Sequence, residues 1–101
     1  MTFSEAVILG RTGLITGRLG ISSSYGAPAA AYEEAFERGC NYFVMGSFMK
    51  GRSNEMIKAI RNITKQGNRD KLVVCQMEYT HSKLLGKSHF YRGLKKLELD
   101  Y

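Results

Sequence analysis

Three polar residues of the kinds that transfer protons follow a short apolar segment in the second half of the chain. Residues 72–77 are mostly apolar and rich in Val. Glu78, Tyr79 and His81 come directly after them. A carboxylate, a phenol and an imidazole are all suited to general acid–base catalysis. Because loops carry polar residues in any case, an ordinary surface loop is the favoured interpretation.

A second candidate is an anion site at Gly51, Arg52 and Ser53, which open a predicted helix. The backbone N–H groups and the dipole at a helix start attract anions. An ordinary cap, with Ser53 as the capping residue, explains the same residues and is the favoured interpretation.

The cysteines and histidines give little sign of metal or redox chemistry. Cys40 and Cys75 lack CxxC spacing, so we expect two buried thiols. His89 stands alone in a Lys-rich segment and is predicted to lie on the surface. No His, Cys and Asp cluster has the spacing of a metal site, and we expect no metal.

Apolar spacing predicts that strands alternate with helices, as in parallel βα units. Apolar runs on both sides of the Gly-containing link at 11–13 predict a hairpin. Gly39 and Gly67 are the predicted ends of two helices. The third helix is predicted to begin at Phe90 or Tyr91, after a polar loop. The expected single domain, 1–101, comprises a hairpin at 6–18 and βα units at 19–39, 40–67 and 71–98.

Length and composition exclude several classes of protein. The chain has 101 residues, whereas a complete (β/α)8 barrel needs about 200 or more. No stretch supplies the roughly 20 apolar residues of a membrane helix, and the first residues lack the pattern of a secretory signal. We therefore expect a cytoplasmic protein with no membrane partner. The net charge of +6 favours anionic partners in general, but its spread along the chain is typical of solvated helix faces.

Four segments of the chain carry motifs of a known family: LGRTGLITGRLG at 9–20 followed by Tyr25 and Gly26, GCNYFVMGSFMKGRSNEM at 39–56, RDKLVVCQM at 69–77 and YRGLKKLELDY at 91–101. Together these segments resemble the aldo-keto reductases. The second segment aligns with that family's pattern G-x-N-x-F-D-T-A-x-x-Y-G-x-G-x-S-E, and the similarity continues in register over essentially the whole chain.

The resemblance implies a fold and a chemistry. The fold would be an α/β, partial (β/α)8 TIM barrel, with the amino-terminal hairpin, three βα units and parallel strands. The family transfers hydride between NADPH and a carbonyl, and Asp, Tyr, Lys and His surround that carbonyl. Its Tyr donates the proton because neighbouring positive charge and hydrogen bonding lower its pKa.

The chain departs from that pattern at each catalytic position it reaches. Val44 stands at the position of the Asp, Met49 at that of the Tyr and Met77 at that of the Lys. The family's His would follow Tyr101. Replacing a buried ionic group as a whole by apolar residues avoids leaving one charge unpaired. The resemblance therefore implies a pseudoenzyme, inactive as a reductase.

The resemblance implies that NADP would bind near Ser23, Ser24 and Tyr25. The run Ser22-Ser23-Ser24-Tyr25 takes the place of the family's Gly-Thr and adjacent aromatic residue, which lie near the nicotinamide. The family holds the cofactor's phosphates with late βα loops, which would follow Tyr101. We therefore expect at most a weak nicotinamide site in these residues.

An interaction module is the alternative function. Three parallel strands leave an open sheet edge, which favours self-association or pairing with the remainder of a longer barrel. Nucleic-acid binding ranks last, because aromatic residues such as Phe48 and Phe90 occur without a recognised binding motif.

Overall fold

The computed structural model describes residues 5–46, 53–77 and 82–99, and it shows a mixed α/β fold. An antiparallel hairpin comes first, formed by β1 (Val7–Ile8) and β2 (Ile15–Thr16). A three-stranded parallel sheet follows, in the order β3-β4-β5. Its strands are β3 (Gly20–Ser22), β4 (Tyr42–Gly46) and β5 (Val73–Met77).

The hairpin turn is held by the side chain of Thr12. Its hydroxyl donates to the Leu9 carbonyl at 2.6 Å and accepts from the Leu14 backbone N–H at 3.0 Å. Such local side-chain bonds favour a turn over continued extended chain. The hairpin therefore forms at the place that the sequence predicts.

Three helices connect and follow the strands: α1 (Ala29–Glu37), α2 (Asn54–Lys65) and α3 (Lys83–Leu97). After α1 and α2, the chain turns through Gly39 at φ 99° and Gly67 at φ 82°. These conformations favour glycine because it has no Cβ, which is why both residues end a helix. The predicted parallel arrangement is thus confirmed: three parallel strands are connected and followed by three helices.

The predicted start of the third helix at Phe90 or Tyr91 is wrong, because α3 begins at Lys83. The Ser82 hydroxyl accepts a hydrogen bond from the Leu85 backbone N–H at 3.3 Å and so caps the helix. Leu84 is 79% exposed, so the first turns of α3 bury no regular apolar stripe. A helix without such a stripe has no periodic signal in its sequence.

The core lies between the helices and one face of the sheet. Ile60 and Ile63 of α2 are buried there, as the apolar spacing of that helix predicts. None of the helices in the described ranges is long and apolar enough to span a bilayer. The buried apolar residues are Tyr32, Phe43, Met45, Met56, Ile57, Ala59, Ile60, Ile63, Leu72 and Leu97.

Candidate functional site

The two faces of the sheet have different surroundings. On the helix face, Phe43 and Met45 of β4 are buried in the core and Val74 of β5 packs against it. Because side chains alternate along a strand, Val44 and Cys75 project from the opposite face. They are only half-buried there. We call this opposite side the open face of the sheet, formed by Gly20, Ser22, Tyr42, Val44, Val73, Cys75 and Met77.

Val44 and Met77 lie close together near the carboxyl ends of β4 and β5. Val44 pairs in register with Cys75, and Met77 is two residues further along on the same face. Met77 is 39% exposed. The structure therefore brings together two of the three positions that the resemblance assigns to catalysis, and both side chains are apolar. Met49 lies outside the described residues.

A phenol and a thiol form a pair on the open face that sequence reasoning missed. The hydrogen bond with Cys75 is the main cause that raises the pKa of Tyr42 above its usual value, and the Cys75 charge and burial add to it. A Cβ added at Gly20 would lie 2.9 Å from the Tyr42 ring, so this ring covers the glycine. Strand alternation combined with register could have found the pair, because Tyr42 and Cys75 are diagonal neighbours.

Ser23 lies at the carboxyl end of β3, in the short 3-10 turn Ser23–Tyr25. The residue is 2% exposed, and its hydroxyl lies 3.0 Å from the Ser53 hydroxyl. The Ser24 backbone N–H donates to the Ser22 hydroxyl at 3.2 Å, and Ser24 itself is exposed. Of the predicted cofactor-binding residues, Ser23 is therefore engaged in a buried pair and Ser24 faces solvent, while Tyr25 is placed here by its backbone alone.

Ser53 directly precedes α2, at the N-cap position that the sequence predicts, but its side chain forms no capping hydrogen bond. Ser53 has the helical backbone angles φ −91° and ψ −2°, whereas a capping residue is usually extended. Its hydroxyl instead pairs with Ser23 and joins the end of β3 to the start of α2. Gly51 and Arg52 of the predicted anion site lie outside the described residues.

The other sequence candidates contribute no site within the described residues. Glu78, Tyr79 and His81 lie outside the described ranges. The His89 carbonyl accepts from the Gln76 side chain at 3.1 Å, which ties α3 to β5. The described ranges hold no group of three or more His, Cys, Asp or Glu residues suited to a metal ion.

The two cysteines are free thiols and half-buried. Cys40 donates to the Leu19 carbonyl at 3.4 Å. Burial raises the pKa of the Cys40 thiol above its usual value, so the thiolate is disfavoured there. Neither thiol is as deeply buried as the sequence predicts.

Asn41 organises the opposite, amino-terminal edge of the sheet, and sequence reasoning gave it no role. Its Oδ1 accepts from the Gly17 backbone N–H at 2.8 Å. Its Nδ2 donates to the Ile15 carbonyl at 2.9 Å and to the Lys71 carbonyl at 2.8 Å. One amide therefore joins the hairpin, the start of β4 and the turn before β5. The available signal was a short polar residue directly before an apolar strand.

A scan against protein-family models and a search of the curated proteins both found no match to this chain.

Proposed function

We propose that this chain forms a partial TIM barrel like that of the aldo-keto reductases. We propose further that it is a pseudoenzyme, which does not reduce carbonyls. The observation that carries the proposal is the juxtaposition of Val44 and Met77 on neighbouring strands. Those are the positions at which the resemblance implies an Asp and a Lys. Two apolar side chains at these positions offer neither a charge nor a proton to a substrate carbonyl.

The remaining phenol on the open face does not compensate. Carbonyl reduction needs an acid that gives up its proton readily, whereas the Cys75 thiol raises the pKa of Tyr42. Tyr42 is also the first residue of β4, at the end of the strand away from Val44 and Met77. A phenol with a raised pKa at that end is a poor proton donor for such a site.

The residues present also fit a nicotinamide cofactor poorly. The Ser23 hydroxyl is buried against Ser53, and Val44 and Met77 add no polar group near it. The direct test measures NADPH oxidation by the purified chain with aliphatic and aromatic aldehydes. We expect no turnover above the rate in buffer, and robust turnover would contradict the proposal.

The juxtaposition itself is tested by rebuilding an ion pair. We expect Val44→Asp and Met77→Lys each to destabilise the fold, and the double variant to recover roughly 0.2–1 kcal/mol relative to their sum. The measurement is a double-mutant cycle of urea unfolding. The matched neutral set, Val44→Asn and Met77→Gln, should show no recovery. No more recovery in the charged set than in the neutral set would mean that the two introduced charges do not approach each other.

An interaction module is the second candidate function, and the open face favours it. Within the described ranges β3 and β5 are the outer strands, and each has one edge without a partner strand. Unpaired edges accept a further strand from another chain. Apolar residues on the adjoining open face, Val44 and Val73, are only partly covered. We expect size-exclusion chromatography with light scattering to show oligomers, and a strict monomer at all concentrations would count against this function.

A further inference from the structure

A cleft of about 340 Å³ opens at the amino-terminal edge of the sheet, away from Val44 and Met77. It lies between the hairpin, the end of α1 and the turn that precedes β5. We propose that this cleft binds a small zwitterion of the α-amino acid class. The proposal is independent of the reductase question, because it uses the other end of the strands. The residues that carry it are Ile15, Thr16, Phe36, Glu37, Asn68 and Lys71.

The charges on the walls select a ligand that carries both signs. Glu37 is the last residue of α1, where the negative end of the helix dipole adds to the attraction for a cation. Lys71 comes from the turn before β5. Neither side chain forms an ion pair within the described ranges. A simple carboxylate would meet the like charge of Glu37 and a simple amine that of Lys71, whereas a zwitterion complements both.

Thr16 supplies a polar group on the wall of the cleft. The residue is only 3% exposed and lines the cleft. Its hydroxyl can both donate and accept a hydrogen bond, so it suits either charged end of a zwitterion. The Asn68 side chain also lines the cleft and does not cap the turn that follows it. These two groups offer hydrogen bonds beside the charge of Lys71.

The cleft has an apolar wall and a framework that is already in place. Ile15 and Phe36 line it and provide a surface for an aliphatic side chain. Asn41 bonds to the backbone of Gly17, Ile15 and Lys71 and so connects the walls to one another. Because these bonds exist without a ligand, binding requires little ordering of the chain.

The test is a titration of the full chain followed by NMR spectra of its backbone amides. The probes are L-leucine, 4-methylpentanoate, which lacks the ammonium group, and 3-methylbutylamine, which lacks the carboxylate. We expect saturable shifts at Gly17, Gly39 and Asn41 with leucine, and roughly tenfold weaker binding of each singly charged probe. Absence of a saturable shift with leucine would overturn the proposal. Equal affinity for leucine and either analogue would overturn the assignment to a zwitterion.

Variants separate this cleft from nonspecific binding to a charged surface. Glu37→Gln and Lys71→Met should each weaken leucine binding roughly tenfold. Both residues are exposed, so the fold should be retained, which the amide spectra verify. The matched controls Glu34→Gln and Lys65→Met change the same charges on exposed residues outside the cleft and should bind as the original chain does. Equal weakening by the controls, or none by the cleft variants, would contradict the proposed site.

Discussion

The helix face and the open face of the sheet are built from similar residues and differ in what covers them. Met45 on the helix face is 4% exposed, whereas Met77 on the open face is 39% exposed. The strands read YFVMG and VVCQM, nearly continuous apolar runs that are typical of parallel strands buried on both sides. Within the described residues only one side is covered. An apolar strand sequence therefore does not reveal which of its faces packs against helices.

Truncating one methionine on each face should give the largest contrast. We expect Met45→Ala to lower the free energy of unfolding by about 2–5 kcal/mol, because it leaves a cavity in the core. Met77→Ala should cost under about 1 kcal/mol, since much of that side chain is already in solvent. Chemical denaturation of both variants measures the difference. Similar losses for the two would show that the open face is covered in solution.

The helix face is also sensitive to added volume at the contact between α3 and β5. A Cβ at Gly93 would overlap the Gln76 Oε1 atom, so the Gln76 amide must move away from its bond to the His89 carbonyl. We expect Gly93→Ala to destabilise the fold by about 1 kcal/mol net, because overpacking exceeds the gain in helix propensity.

The control for Gly93→Ala is the same substitution made in a protein that already carries Gln76→Ala. With the Gln76 amide removed, the same Gly93→Ala change should stabilise the fold by about 1 kcal/mol through helix propensity. Thermal unfolding of the four proteins tests the reversal of sign. The same sign in both backgrounds would mean that Gln76 does not lie against Gly93.

The hydroxyl groups of two tyrosines allow a comparison of the helix face with the open face. Tyr32 lies in the core, and its hydroxyl is buried with no hydrogen-bond partner among the described residues. Tyr42 on the open face has Cys75 as its partner. Tyr32→Phe should therefore stabilise the fold by about 1 kcal/mol, whereas Tyr42→Phe should cost about 0.5 kcal/mol. Urea unfolding measures both changes, and a loss of stability in Tyr32→Phe would indicate a bonded hydroxyl.

Alkaline pH should produce the smallest effect. The pKa values of Tyr42 and Cys40 are both raised in the fold, so the unfolded chain releases these protons at lower pH than the folded chain does. Their contribution to stability is present below the unfolded pKa values and is lost as pH rises through the folded ones. The free energy of unfolding should therefore fall as the pH rises above the ordinary pKa values of a thiol, about 8.5, and a phenol, about 10. Tyr42→Phe and Cys40→Ser should each make that fall shallower, and unchanged slopes would contradict the raised pKa values.

Much of the fold follows from local patterns, and the exceptions have physical reasons. Strands β4 and β5 and helices α1 and α2 come from apolar spacing, with Gly39 and Gly67 as helix ends. The start of α3 escaped prediction because Leu84 and Leu85 remain exposed, so its first turns carry no apolar stripe. The hydrogen bond of Ser53 was not predicted, because its hydroxyl pairs with that of Ser23, a residue far away in sequence.

The candidate sites likewise differ in how much of each could be predicted from the sequence. Resemblance alone assigned Val44 and Met77 to one chemistry, and the register between β4 and β5 made them diagonal neighbours on one face. The cleft had no sequence signal, since Thr16, Glu37 and Lys71 belong to three separate segments with no shared spacing. Asn41 connects two of these segments, those of Thr16 and Lys71, through three hydrogen bonds to distant backbone groups.

The amino-acid sequence is enough to predict the order of strands and helices and the absence of charge at Val44 and Met77. Those properties are local, because they depend on side-chain types and on spacings of two or three to four residues. The other properties are tertiary: which face of the sheet is covered, which residues pair between strands and where a cleft opens. Those properties depend on contacts between distant segments, as in the bonds of Asn41 to the chain at Gly17 and at Lys71.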